Sequence, residues 1–244
     1  MVRILAAMAI LIMMSCGFAP SINSRRPIVV INFDDGDSTI ITTAFPLMCS
    51  LNVAWRATHF LPIARIGSPG GVTLTDLKVM EAAGWESGGH GIVHHNLSSL
   101  PLESAAVQIR ISHDSLAALG LSHACFAYPT GNYSAAVESI AVSYFSTVRT
   151  SHDFEYLDGV NRHELGYFAV QSSHSAADLI ARVERAQRIG SPLVILGFHV
   201  ILPDTAAPVN VYYCRERVFR EFLQYLAREE YDLPTLSQAM TLLQ

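Results

Sequence analysis

The chain has 244 residues, half of them hydrophobic and 15% charged, with a formal net charge of −5. That length and apolar content support one sizeable core, and the acidic balance argues against a basic nucleic-acid-binding surface. No block of like charge, low-complexity run or fixed-period repeat interrupts it.

Residues 1–26, MVRILAAMAILIMMSCGFAPSINSRR, differ from the rest: Arg3 precedes an uncharged run from Ile4 to Ala19. A charged start and a short apolar stretch form the pattern of an export signal, and the run falls short of the roughly 20 residues of a bilayer span. MMSC before Gly17 loosely resembles a lipoprotein cleavage box ending at Cys16, so ordinary cleavage, lipidation and an uncleaved anchor stay open. The expected location is extracytoplasmic, with any membrane attachment confined to this segment. Cys49, Cys125 and Cys214 allow at most one disulfide and show no CxxC spacing; they read as small core residues.

From residue 27 onward the chain alternates. PIVVINF (27–33) is a β-branched apolar run, predicted as a strand buried on both faces. A helical stretch follows to Leu51, then a predicted strand VAWRATHFL (53–61), and a helix TLTDLKVMEAAG (73–84) with a Thr start and a Gly stop. GWESG (84–88) is a short strand. PLESAAVQIRISHDSLAALG (101–120) is an amphipathic helix with Pro at its start and Gly at its end. ACFAY, YFSTVRT, LGYFAVQ and PLVILGFH are further strands, interleaved with helices SAAVESIAVS and SAADLIARVERAQRIG; RERVFREFLQYLAREE is a helix, and a short YDLPTL unit closes the chain. About seven βα units without an internal linker predict one domain, 27–244, with a parallel sheet that is either a barrel or doubly wound.

In parallel α/β folds, functional groups lie just past the C-terminal ends of strands. Four polar stretches occupy such places: DDG (34–36) after the first strand, His90 and His94 after GWESG, YPTG (128–131) after ACFA, and His199 at the end of PLVILGFH. Asp-Gly alone is an ordinary turn; two adjacent carboxylates after a buried strand can divide the work, one binding a cation and one handling protons. His90 and His94, four apart, would share a face on a helical turn. Gly-Ile-Val between them lacks the built-in glutamate of a zinc-protease helix. Two histidines and a carboxylate are a normal divalent-metal set with open positions. His95 points elsewhere, and His59, His113, His123, His152, His163 and His174 lack such placement.

In this order, NFDDG, HGIVH, FAYPTG and LGFH resemble the TFDDG, HTxxH, FRPPYG and closing LLH motifs of the polysaccharide deacetylase family, carbohydrate esterase family 4 with the NodB-homology domain. The resemblance covers roughly residues 27–240. It implies an irregular (β/α)7-type barrel and removal of N-acetyl groups from a GlcNAc-containing polysaccharide (poly-GlcNAc, peptidoglycan or chitin-like) with a divalent metal, zinc in most members. By motif position it implies Asp35, His90 and His94 as metal ligands, Asp34 as general base and His199 as general acid. The backbone N–H of Thr130 would steady the oxyanion, with Tyr128 and Pro129 at the substrate. The chain departs from the pattern at Gly91, where the motif has Thr, and at Ala127, where it has the arginine that orients the base; Arg149 is a candidate substitute. No counterpart is found for the family's Asp-Trp pair beside the acid histidine. An amidase on a small non-sugar amide and a catalytically inactive carbohydrate-binding homologue are the competing expectations.

Overall fold

The computed structural model describes residues 26–244, so the N-terminal signal or anchor expected over 1–26 lies outside the described residues except for Arg26. Seven parallel strands form one curled sheet: β1 (Ile28–Phe33), β2 (Thr58–Leu61), β3 (Glu86–Gly89), β4 (Cys125–Ala127), β5 (Thr147–Arg149), β6 (Phe168–Ala169) and β7 (Leu193–Phe198), in the order β5-β4-β3-β2-β1-β7-β6. The β1–β7 pairing is the longest, from Ile28↔Leu193 to Phe33↔Phe198. The two edges approach each other through residues 162–167: Leu165 bridges to Arg149, Val148 N–H donates to Arg162 O, and Tyr167 N–H donates to His152 O. This is the expected (β/α)7-type barrel in a single domain, incompletely closed.

Helices α1 (Phe45–Leu51), α2 (Leu74–Ala82), α3 (Leu102–Ala118), α4 (Ala135–Tyr144), α5 (Ala176–Ile189), α6 (Glu216–Arg228) and α7 (Leu236–Leu242) complete the units. Their ends follow local chemistry. Thr73–Asp76, Ser175–Asp178 and Thr235–Gln238 form reciprocal capping boxes on α2, α5 and α7, each contributing about 1 kcal/mol through its cap. Gly190 ends α5 in the left-handed conformation.

Strand alternation sorts the core into two layers. Val29, Ile31 and Phe33 face the helices and pack with Trp85, Phe198, Phe219 and Phe222; Trp85 stacks on Phe33. Val30, Phe60, Ala127 and Ile195 face the barrel interior. Leu236, Ala239 and Met240 of α7 join that inner cluster. Glu86, buried at the start of β3, accepts from Thr58 Oγ1 at 2.8 Å and from the Ser237 hydroxyl and N–H, fixing α7 to the strand starts.

Three expectations change. The strand expected at 53–61 begins only at Thr58: Asn52 Oδ1 accepts from Ala54 N–H at 2.9 Å, a turn that leaves Val53 exposed. After His199 a two-stranded ribbon, β8 (Val200–Leu202) and β9 (Tyr213–Arg215), appears unforeseen. The YDLPTL unit leads into α7. Cys49, Cys125 and Cys214 are all free thiols. Among the described residues no helix is long and apolar enough to cross a membrane.

Candidate active site

A cavity of about 880 Å³ opens at the C-terminal ends of the strands, lined in part by Asp34, Asp35, His90, His94, Arg149 and His199. β1 delivers the two aspartates. Asp34 continues the strand, its N–H donating to Phe198 O at 2.8 Å, and its side chain is buried. Asp35 turns into the left-handed region (φ 68°), so the neighbouring carboxylates diverge.

Asp35 meets the two histidines. Its Oδ1 lies 3.4 Å from His90 Nε2 and 3.1 Å from His94 Nε2, and the three ligand atoms all lie within 4.8 Å of one another. His90 Nδ1–H donates to Ala127 O at 2.7 Å, which fixes the ring's orientation with Nε2 turned toward Asp35. Burial opposes ionisation of Asp35, but the two imidazoles outweigh it and hold its carboxyl well below the usual range; Asp35 in turn raises His94, against burial. A carboxylate oxygen without a hydrogen-bond partner, facing two imidazole nitrogens, is a donor set that a divalent cation fits.

The two histidines are not on a helical turn. Gly91 (φ 71°) and His94 (φ 56°) both take left-handed conformations, and this tight turn, rather than helical periodicity, brings the rings within 4.8 Å. The left-handed backbone explains glycine at 91, since other side chains are strained there. His95 is exposed and outside the cluster.

Arg149 is a fully buried guanidinium. Its Nη2 lies 2.6 and 2.7 Å from the two oxygens of Asp34, and Nη1 donates to Thr150 O at 3.0 Å. Ala127 and Arg149 are register partners on β4 and β5, so their side chains leave the same face about 4.8 Å apart. The guanidinium missing at 127 therefore arrives from the neighbouring strand. Phe60 and Tyr167 flank it, with ring centroids 4.8 and 4.0 Å away. Tyr167 fits because β7 has Gly197 opposite: a Cβ there would sit 1.9 Å from the ring. Burial lowers the Arg149 pKa, but Asp34 and Tyr167 together outweigh it and raise the value overall. Burial also pushes the Tyr167 phenol up to about 12.

His199 follows β7. Its Nε2 lies 3.9 Å from Asp34 Oδ2, and its buried Nδ1 has no partner. Burial lowers its pKa, against the opposing pull of Asp34 and Asp35. Among the described residues no carboxylate buttresses its Nδ1: Asp153 pairs instead with Arg182, and Trp55 and Trp85 lie in the core. Thr130, exposed and left-handed (φ 62°), lines the cavity with Tyr128, whereas Pro129 is buried and lies next to Gly91 instead. Phe60, Tyr167 and Tyr212 join the site without having been anticipated; none carries a sequence signal beyond being aromatic near a strand end.

A protein-family model described as polysaccharide deacetylase matches residues 21–147, just over half of the chain. The chain belongs to the polysaccharide deacetylase family. The match includes the two aspartates, the paired histidines and FAYPTG, and ends before Arg149 and His199. Among solved structures, this polysaccharide deacetylase is similar to the Streptococcus pyogenes deacetylase PplD in complex with acetate, at 21% identity and TM-score 0.58, over 64% of this chain and 70% of that one. It is also similar to the Xyl-CE4 domain of a multidomain xylanase from the hindgut metagenome of Trinervitermes trinervoides (14%, TM-score 0.60, 89% and 91%). A mutant of the Bacillus subtilis peptidoglycan deacetylase PdaC is a third (16%, TM-score 0.54, 90% and 92%). At these identities the likeness speaks for the fold. A search of curated protein sequences finds no significant match.

Proposed function

We propose that the protein is a metal-dependent N-deacetylase of a GlcNAc-containing polysaccharide, acting outside the cytoplasm. The observation that carries this is the pairing of two halves in one cavity: Asp34 held by Arg149 beside His199, and Asp35, His90 and His94 converging as a ligand set. The extracytoplasmic location rests on the sequence of residues 1–26 alone.

Asp35, His90 and His94 would hold a divalent metal, with zinc the proposed ion, which when bound supplies Lewis acidity toward water and the acyl oxygen. The remaining work falls to the chain's own groups. Asp34, oriented by Arg149, takes the proton of the attacking water as general base. The backbone N–H of Thr130 donates to the carbonyl oxygen as negative charge develops on it. His199 donates a proton to the departing nitrogen, so that the amide C–N bond breaks to an amine and acetate. Burial lowers the His199 pKa, which makes the protonated ring a readier donor to the departing nitrogen.

The test is metal analysis with an acetate-release assay on GlcNAc oligomers, chitin and peptidoglycan. His90→Ala or His94→Ala should abolish metal binding. Asp34→Asn should retain metal and lose turnover; full activity in that variant would overturn the base assignment. Bound metal without acetate release from any glycan would favour the small-amide amidase or the inactive carbohydrate-binding homologue.

A further inference from the structure

The segment between His199 and α6 carries a two-stranded ribbon of its own. β8 and β9 pair beside the strand ends, and two residues of the loop joining them, Asn210 and Tyr212, line the cavity. The loop is fastened at several points. Arg215 Nη1 donates to Pro203 O and Ala206 O, both at 2.8 Å; Tyr212 N–H donates to Asn210 Oδ1 at 2.6 Å; and Ser172 N–H donates to Val211 O at 2.8 Å. Tyr212 is thus presented on a held backbone. Its ring lies 5.1 Å from the His199 ring at 39°, yet the residue is 43% exposed. Part of the ring therefore packs on the imidazole, while the rest is open beside the cavity.

An aromatic ring held open at a cavity mouth is an apolar surface that water solvates poorly. Its amphipathic ring suits the apolar C–H face of a pyranose, with its polar edge left wet. The charged groups around it are already matched: Asp34 with Arg149, and Asp37 with Arg65 at 3.7 Å. Among the residues lining the cavity, this leaves no unpaired arginine or lysine for a carboxylate or phosphate on the sugar.

We propose that Tyr212 is the stacking platform of a saccharide subsite adjoining the reaction centre, and that its occupant is a neutral pyranose ring of a chain rather than a lone acylated sugar. The proposal rests on the deacetylase reading and specifies which glycans it serves.

The test compares wild type, Tyr212→Ala, Tyr212→Phe and, as a loop control, Val209→Ser, all metal-loaded. Substrates are a GlcNAc tetramer and a small chromogenic acetyl ester, and tetramer binding is measured separately by calorimetry. Tyr212→Ala should raise the tetramer KM about tenfold relative to its effect on the ester, with kcat little changed, and should weaken calorimetric binding in parallel. Tyr212→Phe should recover most of that loss, and Val209→Ser should behave as wild type. A tetramer bearing lactyl carboxylates should bind more weakly; equal or tighter binding would overturn the neutral occupant. An unchanged tetramer KM in Tyr212→Ala would overturn the subsite. So would a fall in kcat on both substrates with a displaced pH profile, which would make Tyr212 a support for His199. Tyr212-dependent tetramer binding without acetate release would uphold the subsite and overturn the deacetylase reading instead.

Discussion

Removing Arg149 strips a buried carboxylate of its counter-charge. Asp34 and Arg149 are both almost fully buried, with 2.6 and 2.7 Å contacts from one guanidinium nitrogen to both carboxylate oxygens. Breaking such a pair by deleting one partner costs about 3–5 kcal/mol, and the flat slot between Phe60 and Tyr167 is emptied as well. Arg149→Ala should therefore lower stability by about that amount in urea titration. With the base released from its fixed pose, kcat should fall about 100-fold, the scale expected for a displacement of about 1 Å. The register supplies a sharper arm. Because Ala127 is the β4 partner of Arg149, the double variant Ala127→Arg/Arg149→Ala returns a guanidinium to the same interior from one strand away. It should regain about tenfold or more of the lost kcat, since reorienting the base reverses that misplacement. If Arg149→Ala keeps kcat within threefold of wild type, or if the swap recovers nothing while folding normally, Arg149 does not orient Asp34.

Two further predictions follow from packing and burial. Gly197→Ala should push the Tyr167 ring off the guanidinium, lowering both stability and kcat, because the new Cβ would sit 1.9 Å from that ring; kinetics and thermal melting of the single variant check this. His59 is fully buried, with one contact to Ser87 Oγ at 3.3 Å and its Nδ1 unpartnered, and burial lowers its pKa to about 3. Between an unfolded value of about 6.5 and pH 3 the unfolded chain binds the extra proton, so stability falls as pH falls, by about 1.4 kcal/mol per pH unit. His59→Gln should flatten this acid limb in denaturation curves taken from pH 7 to pH 4; an unchanged slope would show that His59 is not the group responsible.

Much of the architecture was legible because it is written in local chemistry. The β-branched run 27–33, the Thr73 start of α2 and the Gly190 stop of α5 each carry a signal that short-range sterics and hydrogen bonding enforce. Placement of Asp34, Asp35, His90, His94 and His199 at strand ends followed from the alternation, and the structure gathers all five around one cavity. What escaped depends on non-local contacts. α7 is only seven residues long, and its place is set by Glu86, about 150 positions earlier in the chain. β8 and β9 are three residues each and pair across a loop with no strand periodicity to announce it. The spacing of four between His90 and His94 imitates a helical turn, whereas two left-handed residues bring the rings together. Arg149 could be named as a substitute for the residue absent at 127, but the strand register that makes it one was not visible. Tyr212 and Tyr167 gave no sign at all, since an aromatic near a strand end is more often core than site.

Asp35, His90 and His94 are proposed to hold a metal on which glycan deacetylation depends. The most direct measurement is acetate release from a GlcNAc oligomer by the purified protein, before and after chelation and again after zinc is restored. Release should disappear on chelation, return with zinc, and not return in His90→Ala. Release that survives complete metal removal, or no release from any N-acetylated glycan by the zinc-loaded protein, would contradict it.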